Sequence, residues 1–582
     1  MRLINVNSMV LEEFIGGGSD VPNYAILSHT WEDGEVTFHD FINPDGNIRT
    51  GKKGFAKIDK TCELARHDSL AYAWVDTCCI DKSSSAELTE AINSMFQWYQ
   101  ASVVCYAWLA DLPTSSVVNN EPDESTMSKC RWFTRGWTLQ ELVAPKCVNF
   151  YDQAWNFRGT KSTLNKSIAS ITMIDSNVLE DAGLLPTLSV AKRMSWAALR
   201  NTTRIEDIAY CLLGIFDVNM PMLYGEGTRA FLRLQEEIAK ETNDLSLFAW
   251  KTDRSGTKYS GVFATKPAGF RESGSVELHS DTIFNPEFAL ANKGLRINIG
   301  LYSGVDESYL LNLNCTHKTV AGRQQIGIWI KPHGGGVYSR TRPSEFGVET
   351  PGEVAKSRDI FLFKWLSNSR AQGLERSHSK AFMLRQGFNT LDTLHSPEFP
   401  FTATTIMPQE EWDSQRRMFL TRGAADFSAY AFFAVRDSDR KSKNLAPGSM
   451  FLLAFGKTSS NEEPWATIMT PYDNMKAFTS ILDVAKTIAA VRSCQPQLQV
   501  KMKDAMNRVS GKLSVRIENA VVEGQDVHCI DLSYGNEMDI LTAGLLDDAS
   551  AKGDDRHRAT DALIDTVPLR QGPTGQRVRR NT

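Results

Sequence analysis

The sequence predicts an α/β protein: a parallel sheet with helices on both faces and a helical extension, followed by a β-sandwich-like region. Three features point there. Compact apolar runs that stop abruptly at polar residues recur through the first 152 positions, with amphipathic helical stretches between them. After residue 250 the hydrophobic period shortens to two. At 582 residues the chain is too long for a single core, and length favours about three or four domains.

Residues 1–10 suit a short strand, and Gly16-Gly17-Gly18-Ser19 reads as a flexible join. Tyr24-Ala25-Ile26-Leu27 is a buried-strand run ending in Ser28-His29-Thr30-Trp31. A strand that stops at polar residues resembles the carboxyl end of a parallel sheet, where ligands commonly bind. Phe55, Ile58, Cys62 and Ala65 recur at helical spacing. Residues 71–75 form a second apolar run that breaks at Asp76-Thr77, and residues 85–99 an amphipathic helix with Leu88, Ala91, Ile92, Met95, Phe96 and Tyr99 on one side. Residues 103–109 make a third strand. A loop rich in Ser, Asn and acidic residues (113–129) leads to a helix over 136–144, where Trp137 and Glu141 stand at i and i+4 on one face and Leu139 and Leu142 turn to a core. Residues 148–151 supply a fourth strand. Alternation of strand and helix implies right-handed crossovers and a flavodoxin-like sheet.

Residues 155–250 read as mainly helical, with Thr203-Arg204-Ile205-Glu206 fitting a capping box and Phe231, Leu234 and Ile238 sharing a helix face. Beyond 250, Leu295, Ile297, Ile299 and Leu301 alternate, as do Leu311, Leu313 and Cys315, and Ile326, Ile328 and Ile330. Further strands are expected at 360–363, 427–435, 450–455, 513–517 and 527–532, with one helical insert near 476–491. The expected units are 1–160, 161–250, 251–545 and an aperiodic, disordered tail over 546–582.

Hydrophobic residues at 42%, charged residues at 23% and a formal net charge of -5 describe a soluble globular protein without the basic field of a general nucleic-acid binder. Ten cysteines without a CxxC pair indicate neither a disulfide framework nor a zinc site, and free thiols in a reducing cytoplasm are the simplest account. No metal and no resident cofactor are expected. The first residues cannot form a signal peptide, and no apolar run approaches the ~18 residues of a membrane span.

Three blocks identify the first part. Residues 24–31 (Tyr-Ala-Ile-Leu-Ser-His-Thr-Trp), 73–82 (Ala-Trp-Val-Asp-Thr-Cys-Cys-Ile-Asp-Lys) and 135–142 (Arg-Gly-Trp-Thr-Leu-Gln-Glu-Leu) resemble the signature blocks of the fungal heterokaryon-incompatibility (HET) domain. The resemblance covers roughly 1–250, through Ser195-Trp196-Ala197 and Tyr224-Gly225-Glu226-Gly227. It implies a programmed-cell-death effector of allorecognition and innate immunity, acting when unlike fungal cells fuse, with an incompatibility partner protein. The order of elements is also similar to Toll/interleukin-receptor (TIR) domains, on Leu27-Ser28, on residues 86–94 and on Trp137-x-x-x-Glu141-Leu142. That second resemblance implies cleavage of the nicotinamide–ribose bond of NAD by Glu141, and self-association on activation. The first loop, His29-Thr30-Trp31, departs from the TIR pattern.

On this reading NAD is the substrate and Glu141 steadies the ribosyl oxocarbenium ion as neutral nicotinamide departs. Ser28, His29, Trp31, Asp76 and Trp137 bind the substrate, Trp31 by stacking on the base. Plainer readings stand beside these. Trp137 fills a core, and Glu141 pairs with Arg135 or Lys146 on a solvated face. His29 holds its loop, and Asp76 and Asp81 cap the helix over 85–99 or shape the turn before it. Cys78 and Cys79 are small buried hydrophobes rather than partners of His29 in a nucleophile pair. His333-Gly334-Gly335-Gly336 is a turn, Gly456-Lys457-Thr458 lacks the leading glycine of a phosphate loop, and Arg577, Arg579 and Arg580 are solvated. The alternative to an enzyme is a death-signalling module of the same shape that acts by self-association and recruitment.

Overall fold

The computed structural model describes residues 1–535 except for short internal stretches, the longest being 349–356, 386–400 and 436–449. The tail expected from residue 546, with Arg577, Arg579 and Arg580, lies outside the described residues.

Seven strands form the first sheet: β1 (Arg2–Asn5), β2 (Val10–Glu13), β3 (Tyr24–His29), β4 (Tyr72–Trp74), β5 (Val104–Trp108), β6 (Val148–Tyr151) and β7 (Phe157–Thr160). Their order is β2-β1-β4-β3-β5-β6-β7. The four central strands, β4-β3-β5-β6, are parallel. The chain thus leaves β3 for β4 on one side and returns to β5 on the other, the winding order of flavodoxin-like sheets. β3 is buried along its whole length, as a central strand covered on both faces must be.

Helices lie on both faces, and β5 shows it. Neighbouring residues of a strand point to opposite faces. Cys105 reaches the carbonyl of Glu141, in a helix after β5, while Tyr106 donates to Asp68 Oδ2 (2.7 Å), just past helix α1 (Phe55–His67). Helix α1 buries Ile58, Cys62 and Ala65 at helical spacing. Helix α2 (Ser85–Ala101) starts at Ser84, whose side chain accepts the Glu87 N–H. The cap expected of Asp76 or Asp81 is therefore Ser84's. Asp81 shapes the preceding turn by accepting the Ser83 N–H (2.9 Å).

Both antiparallel edges differ from expectation. The first ten residues turn back as the β1–β2 hairpin, because the Asn5 side chain accepts the N–H groups of Asn7 and Ser8. Past β6, buried Asp152 accepts the N–H groups of Ala154 and Asn156 and pairs with Arg158, which folds β7 back onto the sheet where helix is expected. Side-chain-to-backbone bonds make these turns, and hydrophobic periodicity does not register them. The extension that follows is built of short helical pieces and helix α4 (Arg229–Glu241).

The second half is largely β-sheet. A ten-stranded sheet occupies 259–362, mostly antiparallel, with Val337–Thr341 and Arg358–Leu362 paired in parallel. A six-stranded and a four-stranded sheet follow within 381–535. Phe382, Leu513 and Ile530 of one share a core with Phe433, Phe451 and Phe455 of the other, as two packed sheets do. The principal core is one cluster from Leu3 to Leu362, crossing residue 250 without interruption. No helix among the described residues is long and apolar enough to cross a membrane.

Candidate functional site

The carboxyl ends of β3 and β5 adjoin where the winding reverses, the place where doubly wound sheets bind ligands. Ser28 and His29 end β3, and Asp76 opens a single helical turn two residues past β4. Helix α3 (Thr138–Val143) covers this edge, its Leu139 and Leu142 fully buried. Trp137 stands at its N-terminal cap with helical dihedrals and is half-buried, so the shared face with Glu141 survives although the helix is shorter than 136–144.

Glu141 is only 7% exposed. Ser28 Oγ lies 2.5 Å from Glu141 Oε2 and accepts the Trp132 indole N–H at 2.8 Å. The indole has only a proton to offer, so the serine's own proton is directed at the carboxylate. Neither Arg135 nor Lys146 pairs with Glu141 among the described residues. Burial pushes this carboxyl up to about 8, with Asp76 adding to the rise against the hydrogen bonds of Ser28 and Tyr99 and the charge of Arg200. Arg200 is itself buried, donating to the Arg135 carbonyl (2.8 Å) and Thr138 Oγ1 (3.0 Å). Burial lowers its guanidinium to about 10, so it stays charged at neutral pH.

His29 sits between an acid and a base. Its Nε2 is 3.1 Å from Asp76 Oδ1 and its Nδ1 3.4 Å from Lys57 Nζ. An ammonium only donates, so Nδ1 faces it as acceptor and Nε2–H faces the carboxylate, which fixes the ring from both sides. Trp31 donates its indole N–H to Asp76 Oδ2 (2.9 Å), and Lys82 Nζ stands 3.6 Å over the Trp31 ring. Burial opposes ionisation of Asp76, but Lys82, His29 and Trp31 outweigh it and hold the carboxyl at about 2.

These groups surround a cavity of about 280 Å³. Leu88, Ile92, Met95 and Tyr99, all on one side of α2, make its apolar wall. His29, Trp31, Asp76, Trp137 and Glu141 all line it, and Ser28 sits behind Glu141. The opposite wall comes from 203–224. There Tyr224 donates to Asp207 Oδ1 (3.0 Å), and burial raises the Asp207 carboxyl despite the hydrogen bonds of Tyr224 and Trp137. Backbone bonds lay this wall in place: Gly136 N–H to the Asn201 carbonyl (2.9 Å) and Asn201 N–H to the Thr134 carbonyl (2.7 Å). Glu206, expected to close a capping box, instead accepts the N–H groups of Gly225 and Gly227, because the chain returns beside it there.

Sequence reasoning missed Trp132, Tyr99, Lys57, Lys82, Arg200 and Asp207. Trp132 stands three residues ahead of the third block, Lys82 closes the second, Tyr99 lies on the apolar side of the helix over 85–99, and Tyr224 belongs to the quoted Tyr-Gly-Glu-Gly run. Lys57, Arg200 and Asp207 meet the site across tens of residues and carry no local signal. Among the described residues no cluster of His, Cys, Asp or Glu is arranged to hold a metal.

A parallel α/β unit with a buried carboxyl in a cavity at its carboxyl edge defines a domain of the doubly wound class. More particularly, the chain carries a HET domain: residues 24–127 match the family described as heterokaryon incompatibility protein (HET). Residues 229–292 match a family described as a domain of unknown function, DUF8212. The vegetative incompatibility protein HET-E-1 of Podospora anserina is 45% identical over 231 residues, 39% of this chain. The match spans only 17% of that relative's length.

Proposed function

We propose that this chain is a fungal heterokaryon-incompatibility effector that kills by hydrolysing NAD to nicotinamide and ADP-ribose, with Glu141 as the catalytic residue. The observation that carries the proposal is a carboxyl buried in a ligand-sized cavity without a cationic partner at ion-pair distance among the described residues. Its resemblance in position to the TIR glutamate supports the same chemistry.

Nicotinamide in NAD is a pyridinium, so the ligand brings a positive charge to an acid that burial disfavours as an anion. Its arrival lowers the Glu141 pKa and ionises the carboxyl. The C1′–N bond then breaks, the electron pair leaving with a neutral nicotinamide that needs no proton. Positive charge passes to the ribose, where the Glu141 carboxylate, held by the Ser28 proton, stabilises it. A water adds to C1′ and passes its proton to Glu141, which releases it to solvent. The apolar side of α2 and the Trp137 ring keep other water from the cation.

The test is nicotinamide release by the purified full chain, at low and high protein concentration. Glu141→Gln keeps the shape of the side chain and removes its charge, so turnover should fall roughly hundredfold or more with folding intact. No turnover at any concentration, with Glu141→Gln still toxic in cells, would instead mark a module that signals by self-association and recruits a partner.

A further inference from the structure

Resting on the NAD reading, we propose that Arg204 and Arg135, at the mouth of the Glu141 cavity, bind the substrate's pyrophosphate. The chain then takes phosphorylated nicotinamide nucleotides and discriminates against the bare riboside.

Charge fixes this orientation, since the cavity opens to solvent where exposed Arg204 stands. The carboxyls of its lining, Glu141, Asp76 and Asp207, suit the pyridinium ribose better than phosphate, and Lys82, which also lines it, stands beside Asp76. Phosphates therefore belong at the mouth.

The cations near the cavity divide by what already holds them. Lys57 is bonded to Glu35, Lys82 lies 3.8 Å from Asp76, and Arg200 is buried against backbone oxygen. Arg135 and Arg204 differ: both line the cavity, and among the described residues neither has a carboxylate at ion-pair distance. Arg135 touches the Thr203 hydroxyl with both terminal nitrogens, each at 3.2 Å. Exposed Arg204 lies 4.3 Å over the Tyr224 ring, which orients the guanidinium by its face and leaves its N–H edge free. Asp207 is near enough to feel Arg204, but takes its hydrogen bonds from Tyr224 and Trp137. Two guanidiniums without a carboxylate partner, one held only by a hydroxyl and the other by a ring face, suit adjacent phosphate oxygens, which a guanidinium binds bidentately. The pairing of 134–136 with Asn201 brings the two arginines to the same rim, although they are far apart in sequence.

The test compares NAD, nicotinamide mononucleotide and nicotinamide riboside as substrates, with calorimetric binding of ADP-ribose measured separately on the full chain. Arg204→Gln should raise KM for both nucleotides roughly ten- to a hundredfold, the worth of one charged hydrogen-bonded contact, while kcat changes by less than about threefold. ADP-ribose binding should weaken by the same factor and the riboside's kcat/KM should hold. Arg204→Lys should recover part of the loss, and Arg135→Gln should repeat the pattern. The proposal is overturned if riboside and NAD suffer equally, if KM and ADP-ribose affinity stay unchanged, or if the unmodified chain fails to bind ADP-ribose. Arg204-dependent ADP-ribose binding without any NAD turnover would keep the anion site and remove the hydrolase reading.

Discussion

Glu141 is held where its charge is unfavourable, and that has two consequences of opposite sign. With its carboxyl near 8, roughly one molecule in ten carries the anion at pH 7 before substrate binds. If the anion is the working form, kcat/KM for NAD should climb with pH and level off above about 8. A flat profile would show that another group does the work. Stability runs the other way. The folded chain holds the Glu141 proton more tightly than the unfolded chain, whose carboxyl titrates near 4.5. Between those values the native state binds more protons, so this residue's contribution to stability falls as pH rises through the window. Glu141→Gln abolishes that cost. Its melting temperature should therefore exceed that of the unaltered chain at pH 8 by several degrees and match it near pH 4.5. An inactive variant that is also more stable is the signature of a group kept for chemistry.

At the scale of elements, the site depends on how helix α3 is seated. A helix of six residues cannot stabilise itself and needs tertiary partners at both ends. At its start, a Cβ on Gly136 would stand 2.5 Å from Thr202 Cγ2 and 3.1 Å from Cys211 Sγ. Gly136→Ala should push the 200–204 wall away, costing about 1–3 kcal/mol and much of the turnover, as thermal unfolding and nicotinamide release would show. At its end, buried Lys161 donates to the carbonyls of Leu142 (3.2 Å), Val143 (3.5 Å) and Pro145. Lys161→Met leaves these acceptors bare and should destabilise the chain by about 2–4 kcal/mol in denaturant unfolding. Much of this region was legible beforehand. The parallel strands announce themselves as apolar runs ending in polar residues, and α2 by its spacing. The positions of Ser28, His29, Asp76 and Glu141 follow from those elements and from the two resemblances. What stayed hidden arises from contacts between distant segments: Trp132 directing the Ser28 proton, Lys57 holding the His29 ring, and a wall brought in from residues 203–224. Periodicity records which face of an element is apolar, but not which neighbour covers it.

Over the whole molecule, the change of texture at residue 250 marks a change of secondary structure but not a gap in the core. Arg340, 1% exposed and on the ten-stranded sheet, donates to the carbonyls of Phe248 (3.1 Å) and Trp250 (2.5 Å), and its guanidinium lies 4.2 Å from the Trp250 ring. Burial lowers its pKa to about 9, so a charged group is held there by carbonyl dipoles and an indole face. Trp250 in turn donates to the Val262 carbonyl (2.7 Å). Gln235 of α4 meets Ala264 with both ends of its amide, at 2.8 and 2.9 Å. A fragment ending at 250 would lose every one of these partners and expose Phe248, Trp250 and the apolar side of α4. It should aggregate or melt well below a fragment ending near 365, which keeps the continuous cluster from Leu3 to Leu362. Arg340→Met in the full chain should show a milder form of the same defect, about 1–3 kcal/mol, since the Trp250 carbonyl loses its donor while that of Phe248 keeps the Trp250 N–H. Size-exclusion and thermal unfolding of both fragments decide the matter. Should the shorter one melt as cooperatively and as high as the longer, the first α/β unit stands alone, and the ten-stranded sheet is an attachment to it rather than part of its core.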